Sequence, residues 1–123
     1  MNISRNLKNR PKVFRVSTVP VSLNVLLKGQ LNFLNSYFDI VAISSPGEDL
    51  IEVSQREKVK TYPIKINRKI AVFSDMLSLL KLVIFFYKNK PFIVHSITPK
   101  AGFLSMIAAF IVGVPVRIHT FTG

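Results

Sequence analysis

The chain has two histidines, His95 and His119, and each ends a short apolar run: Phe92-Ile93-Val94-His95 and Val114-Pro115-Val116-Arg117-Ile118-His119. An imidazole is the side chain best suited to exchange a proton or orient a hydroxyl near neutral pH. At a strand end it can equally be a hydrogen-bonded packing residue, and both readings stand for each histidine. Between them runs Ser96-Ile97-Thr98-Pro99-Lys100-Ala101-Gly102. Thr98 is a natural N-cap, because its hydroxyl can accept a bond from an orphan first-turn amide. Pro99 suits the first helical position, and Gly113 suits the residue just past the end. The pattern predicts strand, tight turn, an apolar helix to Val112, and strand. Such a βαβ unit belongs to a parallel sheet, where ligands bind beyond the carboxyl ends of the strands. Ser17 and Thr18 take the corresponding place after the first strand, as turn caps or ligand contacts.

The elements that must position these residues follow from periodicity. Val13 to Ser17 reads as a strand. Ser22 caps a helix whose Leu23, Leu26, Leu27, Leu31 and Leu34 repeat at helical spacing and face the sheet. Phe38 to Ser44 is a second strand with Ser45-Pro46-Gly47 as its exit. Glu48 to Arg56 is a short polar helix with its acids at the start, where the dipole favours them. Lys58 to Ile66 alternates as a third strand, with Pro63 marking an edge or an irregularity. Asp75 to Lys90 is a strongly apolar helix, read either as a core element of the sheet or as a docking face. The order βαβαβαβαβ predicts a Rossmann-like, doubly wound α/β domain. Residues 1–12 read as a basic flexible arm and residues 13–123 as the domain. No Gly-x-Gly-x-x-Gly and no Walker lysine follows the first strand, which argues against a nucleotide cradle there.

Composition narrows the function. With 49% hydrophobic residues the chain is not disordered. It has no cysteine, and its two histidines and six acids are dispersed, so no metal site is expected. The formal charge of +11, from 17 Lys+Arg against six Asp+Glu, favours polyanions: anionic lipid, phosphorylated substrates or nucleic acid. Nucleic acid is the least supported, because the phenylalanines sit inside apolar runs instead of interleaving with basic residues. The apolar windows Met76 to Tyr87 and Phe103 to Val112 fall short of the roughly 20 residues that span a bilayer. Nothing resembles a secretion signal, and a cytoplasmic location is expected.

Four stretches resemble the N-terminal domain of glycosyltransferase family 4, with its two-domain GT-B architecture. They are Thr18-Val19-Pro20-Val21-Ser22-Leu23-Asn24 with Leu27-Lys28-Gly29-Gln30; Ser44-Ser45-Pro46-Gly47; Ile93-Val94-His95-Ser96 with Thr98-Pro99-Lys100-Ala101-Gly102; and Gly113-Val114-Pro115-Val116-Arg117-Ile118-His119-Thr120. The resemblance is to a subgroup acting in surface-polysaccharide synthesis. It implies transfer of a sugar from a nucleotide-sugar to a lipid-linked or growing glycan acceptor. The acceptor would lie on this domain. A C-terminal domain, outside these residues, would bind the donor; no cofactor is expected. His95 and His119 are then the catalytic candidates, and Ser17, Thr18, Thr98, Lys100, Gly102, Thr120 and Thr122 the substrate-binding ones. Amides at the start of the Thr98-Pro99 helix, with Lys100, would meet the leaving diphosphate. Many relatives have histidine where Ile97 and Thr122 stand; Ile97 can neither transfer a proton nor donate a hydrogen bond. Arg68, Lys69, Lys88 and Lys90 would contact an anionic membrane at its inner face, around the Asp75–Lys90 helix. The chain stops directly after a strand, which suggests the front part of a longer polypeptide, inactive alone. The competing readings are a non-catalytic basic module on anionic membrane, and a split transferase whose separate partner supplies the second half.

Overall fold

Alternation of strand and helix organises the computed structural model, which describes residues 10–19, 23, 24, 27–67 and 71–120. In chain order the elements are β1 (Lys12–Val16), α1 (Gln30–Leu34), β2 (Asp39–Ser44), α2 (Glu48–Glu57), β3 (Lys60–Pro63), α3 (Val72–Asn89), β4 (Ile93–Ser96), α4 (Pro99–Val112) and β5 (Val116–His119). The five strands form one sheet in the order β3-β2-β1-β4-β5, and every neighbouring pair is parallel. The α/β Rossmann-like fold expected from the alternation is the fold observed.

Each face of the sheet has its own core. Phe14, Val16, Val41, Ile43 and Val94 pack against Leu82 and Phe86 of α3 and Ala101, Leu104 and Ala108 of α4. Val13, Ile40 and Ala42 pack on the other face against Leu23, Leu27, Leu31, Leu50 and Val53. A parallel strand buried on both faces should be apolar throughout. β1 obeys this at Val13, Phe14 and Val16 and breaks it at Arg15, whose residue is only 4% exposed.

Several elements depart from the periodicity. Leu23, Leu27 and Leu31 are buried as their spacing requires, but the helix expected through Leu34 is interrupted. Leu27 to Gly29 form a turn, Gly29 adopts a left-handed φ of 78°, and α1 begins only after it. Glycine has no Cβ to oppose that conformation. Ser22 and Leu26 lie outside the described residues, as do residues 1–9 of the basic arm, whereas Lys12 already belongs to β1. β3 is shorter than the alternating stretch 58–66, because Lys58 is spent as the left-handed cap of α2 and pairing ends at Pro63. β3 is an edge strand, as Pro63 suggested. β5 forms the other edge.

α4 ends as read, with Gly113 at φ 85° and both Gly113 and Val114 amides donating to Ala109 O. Its apolar character all round does not mean burial all round. Ala101, Leu104, Ser105 and Ala108 face inward, while Phe103, Phe110 and Ile111 are exposed. α3 starts three residues before Asp75, and only Ser78, Leu82 and Phe86 are buried. Val72, Phe73, Met76, Leu77, Leu80, Ile84 and Tyr87 face outward, Phe73 being 89% exposed. The core-element reading of α3 therefore accounts for one stripe of the helix and leaves a second apolar stripe open.

Candidate functional site

The carboxyl ends of β1, β4 and β5 bring most of the sequence candidates together, in three small clusters. The first joins Thr18 to Thr98. Thr98 was expected to cap α4 through its own hydroxyl, and it does not. Its Oγ1 accepts instead from the Thr18 amide at 2.8 Å and lies 2.8 Å from Thr18 Oγ1. Thr18 Oγ1 in turn accepts from the Ala101 amide at 3.1 Å. The capping oxygen thus comes from the loop after β1, so one hydroxyl ties the end of the central strand to the start of α4. Ser17, fully buried, donates to Val19 O of its own loop at 3.0 Å.

In the second cluster Ser96 Oγ lies 2.7 Å from Nδ1 of His119, its register partner across β4 and β5. The His119 ring lies against Gly102, where any added Cβ would overlap it. Glycine at this position is what lets α4 approach the imidazole.

The third cluster is on the opposite face of the sheet. His95 is not the last residue of β4; Ser96 is, and the one-residue offset puts the two imidazoles on opposite faces of the same sheet end. His95 Nε2 lies 2.6 Å from Thr120 Oγ1. Burial, with the nearby charge of Arg15 and then the second histidine, lowers the His95 pKa to about 4. At neutral pH this is an uncharged imidazole, suited to holding a hydroxyl by hydrogen bonding and weak as a general base.

Arg15 is the residue that motif reading missed. It is the register partner of His95 on β1 and shares its face. Its Nη1 donates to Gln30 Oε1 at 2.9 Å, its Nε has no partner among the described residues, and burial lowers its pKa to about 10. The available signal was a single charge inside the otherwise apolar Val13-Phe14-Arg15-Val16.

The remaining candidates sit apart. Lys100 Nζ lies 2.9 Å from Asp75 Oδ1, an ion pair largely shielded from solvent that links the first turns of α3 and α4. Lys100 holds the Asp75 pKa below the ordinary carboxylate value. Gly102 N donates to Thr98 O at 2.7 Å. The cation and two amides expected to meet a diphosphate at α4 are therefore engaged within the fold. Ile97 is buried in the α1–α2 core. Lys88 and Lys90 are exposed near the end of α3; Arg68, Lys69 and Thr122 fall outside the described residues. Among the described residues, no group of acids and histidines could hold a metal ion, and no helix is long and apolar enough to cross a membrane.

A five-stranded parallel sheet with polar side chains gathered at its carboxyl end is a Rossmann-like arrangement. MurG of Acinetobacter baumannii superposes with a TM-score of 0.68 at 16% identity, over 89% of this chain and 35% of that one. A glycosyltransferase from Rickettsia africae ESF-5 gives a TM-score of 0.68 at 17% identity, over 92% of this chain and 30% of that one. The chain belongs to the glycosyl transferase 4-like family, whose model matches residues 17–123. It is 44% identical over 118 residues to the Staphylococcus aureus capsular polysaccharide biosynthesis glycosyltransferase CapM, covering 95% of this chain and 30% of CapM. It is 37% identical over 92 residues to an Escherichia coli UDP-Gal:alpha-D-GlcNAc-diphosphoundecaprenol alpha-1,3-galactosyltransferase, covering 72% of this chain and 23% of that protein. The chain thus spans less than a third of each curated relative.

Proposed function

We propose that this chain is the acceptor-side portion of a glycosyltransferase that moves a sugar from a nucleotide-sugar to a lipid-linked acceptor in surface-polysaccharide synthesis. The observation that carries the reading is the family match through residues 17–123, joined to a sheet end where hydroxyls and imidazoles converge. The relatives' names supply the chemistry: one acts in capsule synthesis and one on a sugar linked to diphosphoundecaprenol. On this reading the neutral His95 and the Thr120 hydroxyl orient an acceptor hydroxyl, and the Thr18–Thr98 link holds the floor of the site rigid. Donor binding and diphosphate departure belong in part to residues outside this chain.

The exposed stripe of α3 supports the membrane side of the same reading. Phe73, Met76, Leu77, Leu80, Ile84 and Tyr87 are outward, with Lys81 and Lys88 on the same helix and Lys90 directly after it. An apolar stripe with basic residues on an anionic bilayer needs no spanning helix. It would place the site at the inner surface of the membrane, where a lipid-linked acceptor resides.

The test is sugar transfer by the protein as its gene encodes it. Labelled nucleotide-sugars and membranes containing diphosphoundecaprenol-linked acceptors should give labelled, solvent-extractable lipid. Absence of transfer from every common nucleotide-sugar, with none of them bound, would remove the proposal.

A further inference from the structure

The chain carries six acidic side chains, and all six lie within the described residues. Asp39 pairs with Lys60, Glu52 and Glu57 with Arg56, and Asp75 with Lys100. Asp49 accepts from Asn24, and Glu48 is exposed in the first turn of α2. None is bonded to Arg15. Among the described residues, the deeply buried guanidinium of the central strand is therefore held by one neutral acceptor, Gln30, with its Nε unbonded. Burying a charge without a counter-charge is unfavourable, and an incoming anion would relieve that cost. The neighbouring groups suit an anion: His95 is uncharged at neutral pH and Thr120 offers a hydroxyl. Gln30 and Thr120 are exposed, whereas Arg15 is buried.

We propose that Arg15, flanked by Gln30, His95 and Thr120, forms a subsite for a phosphate oxyanion. A planar guanidinium takes two phosphate oxygens side by side, which an ammonium cannot reproduce. The carrier of that phosphate rests on the glycosyltransferase reading: the diphosphate of a lipid-linked acceptor, or that of the nucleotide-sugar. The subsite itself rests on the charge count and geometry and does not need that reading.

The experiment uses the protein as its gene encodes it, with inorganic pyrophosphate as probe, read by calorimetric titration and by thermal unfolding. Pyrophosphate should bind and raise Tm. Arg15→Met keeps the volume and removes the charge; it should unfold no earlier than the parent in anion-free buffer and lose the Tm rise. Arg15→Lys should bind at least about tenfold more weakly than the parent, because the bidentate geometry is lost. Three outcomes overturn the subsite: no binding by the parent, equal binding by Arg15→Met, or an Arg15→Met protein that is clearly less stable or unfolded. The last would make Arg15 a structural cation. Competition by geranyl diphosphate but not UDP assigns the subsite to the acceptor; competition by UDP alone assigns it to the donor. Retained pyrophosphate binding in a protein that transfers no sugar would keep the subsite and reject the proposed function.

Discussion

Two shielded cations flank the same sheet end and are treated oppositely. Lys100, on the first turn of α4, meets Asp75 at 2.9 Å. Arg15, one residue before the end of β1, meets only a side-chain amide among the described residues. Motif reading favours Lys100 as the ligand-binding charge, since it follows a capping threonine and a proline at a helix start. The structure spends that charge on holding α3 to α4. The charge left over is the one that no motif marks. The contrast teaches that a cation's availability depends on where the acids are, and this chain has few acids to distribute.

The contrast can be broken most forcefully from the Asp75 side. Asp75→Ala removes the carboxylate that pairs with Lys100 between two helices, and a drop of several degrees in Tm is expected by circular dichroism. The double variant Asp75→Leu with Lys100→Met should recover most of it, because an apolar pair replaces a shielded ion pair at little cost. Arg15→Met should do the reverse of Asp75→Ala, leaving stability unchanged or raising it by about 1 kcal/mol in denaturant titration. If both cations respond alike, the distinction between them fails.

A smaller effect sharpens the geometry between them. Thr18→Val removes the hydroxyl that serves both Ala101 N and Thr98 Oγ1. It should cost about 1 kcal/mol, the worth of a helix cap. Thr98→Val should cost a similar amount, and the two together less than their sum, because they break one shared network.

A last effect is a pH dependence. The His95 pKa falls from 6.5 to about 4 on folding, so below 6.5 the unfolded chain takes up a proton that the folded one refuses. Stability is fully present above pH 6.5 and declines as pH falls toward 4. The Asp75 carboxylate, also depressed, adds its loss only below its ordinary value of 3.8. His95→Gln should flatten the upper window in urea titrations at stepped pH and leave the lower one. A decline that persists unchanged in His95→Gln would place the titrating group elsewhere.

Much of this molecule is legible in the chain itself. Strand-and-helix alternation, Pro99, Gly113 and Pro63 give the parallel sheet, the bounds of α4 and an edge strand, because each depends on local backbone chemistry. What is not legible depends on distant partners. Gly29 breaks a leucine repeat that looks continuous, since hydrophobic spacing survives a left-handed turn. Thr98 has the right local setting for a cap, yet Thr18, 80 residues earlier, supplies the oxygen. The faces of His95 and His119 depend on a single-residue offset in register. The open stripe of α3 escapes periodicity because two apolar stripes on one helix look the same until one of them meets the sheet.

The sheet's two borders invite different neighbours. On the β3 side, Pro63 has no amide hydrogen to offer, and Lys60 adds charge, so further extended backbone finds little to bind. On the β5 side, Val116 to His119 pairs with β4 alone among the described strands, and Ile118 is partly bare. A further strand, whether a correct sixth one or a stray one from a neighbouring molecule at high concentration, would therefore meet less opposition beside β5 than beside β3.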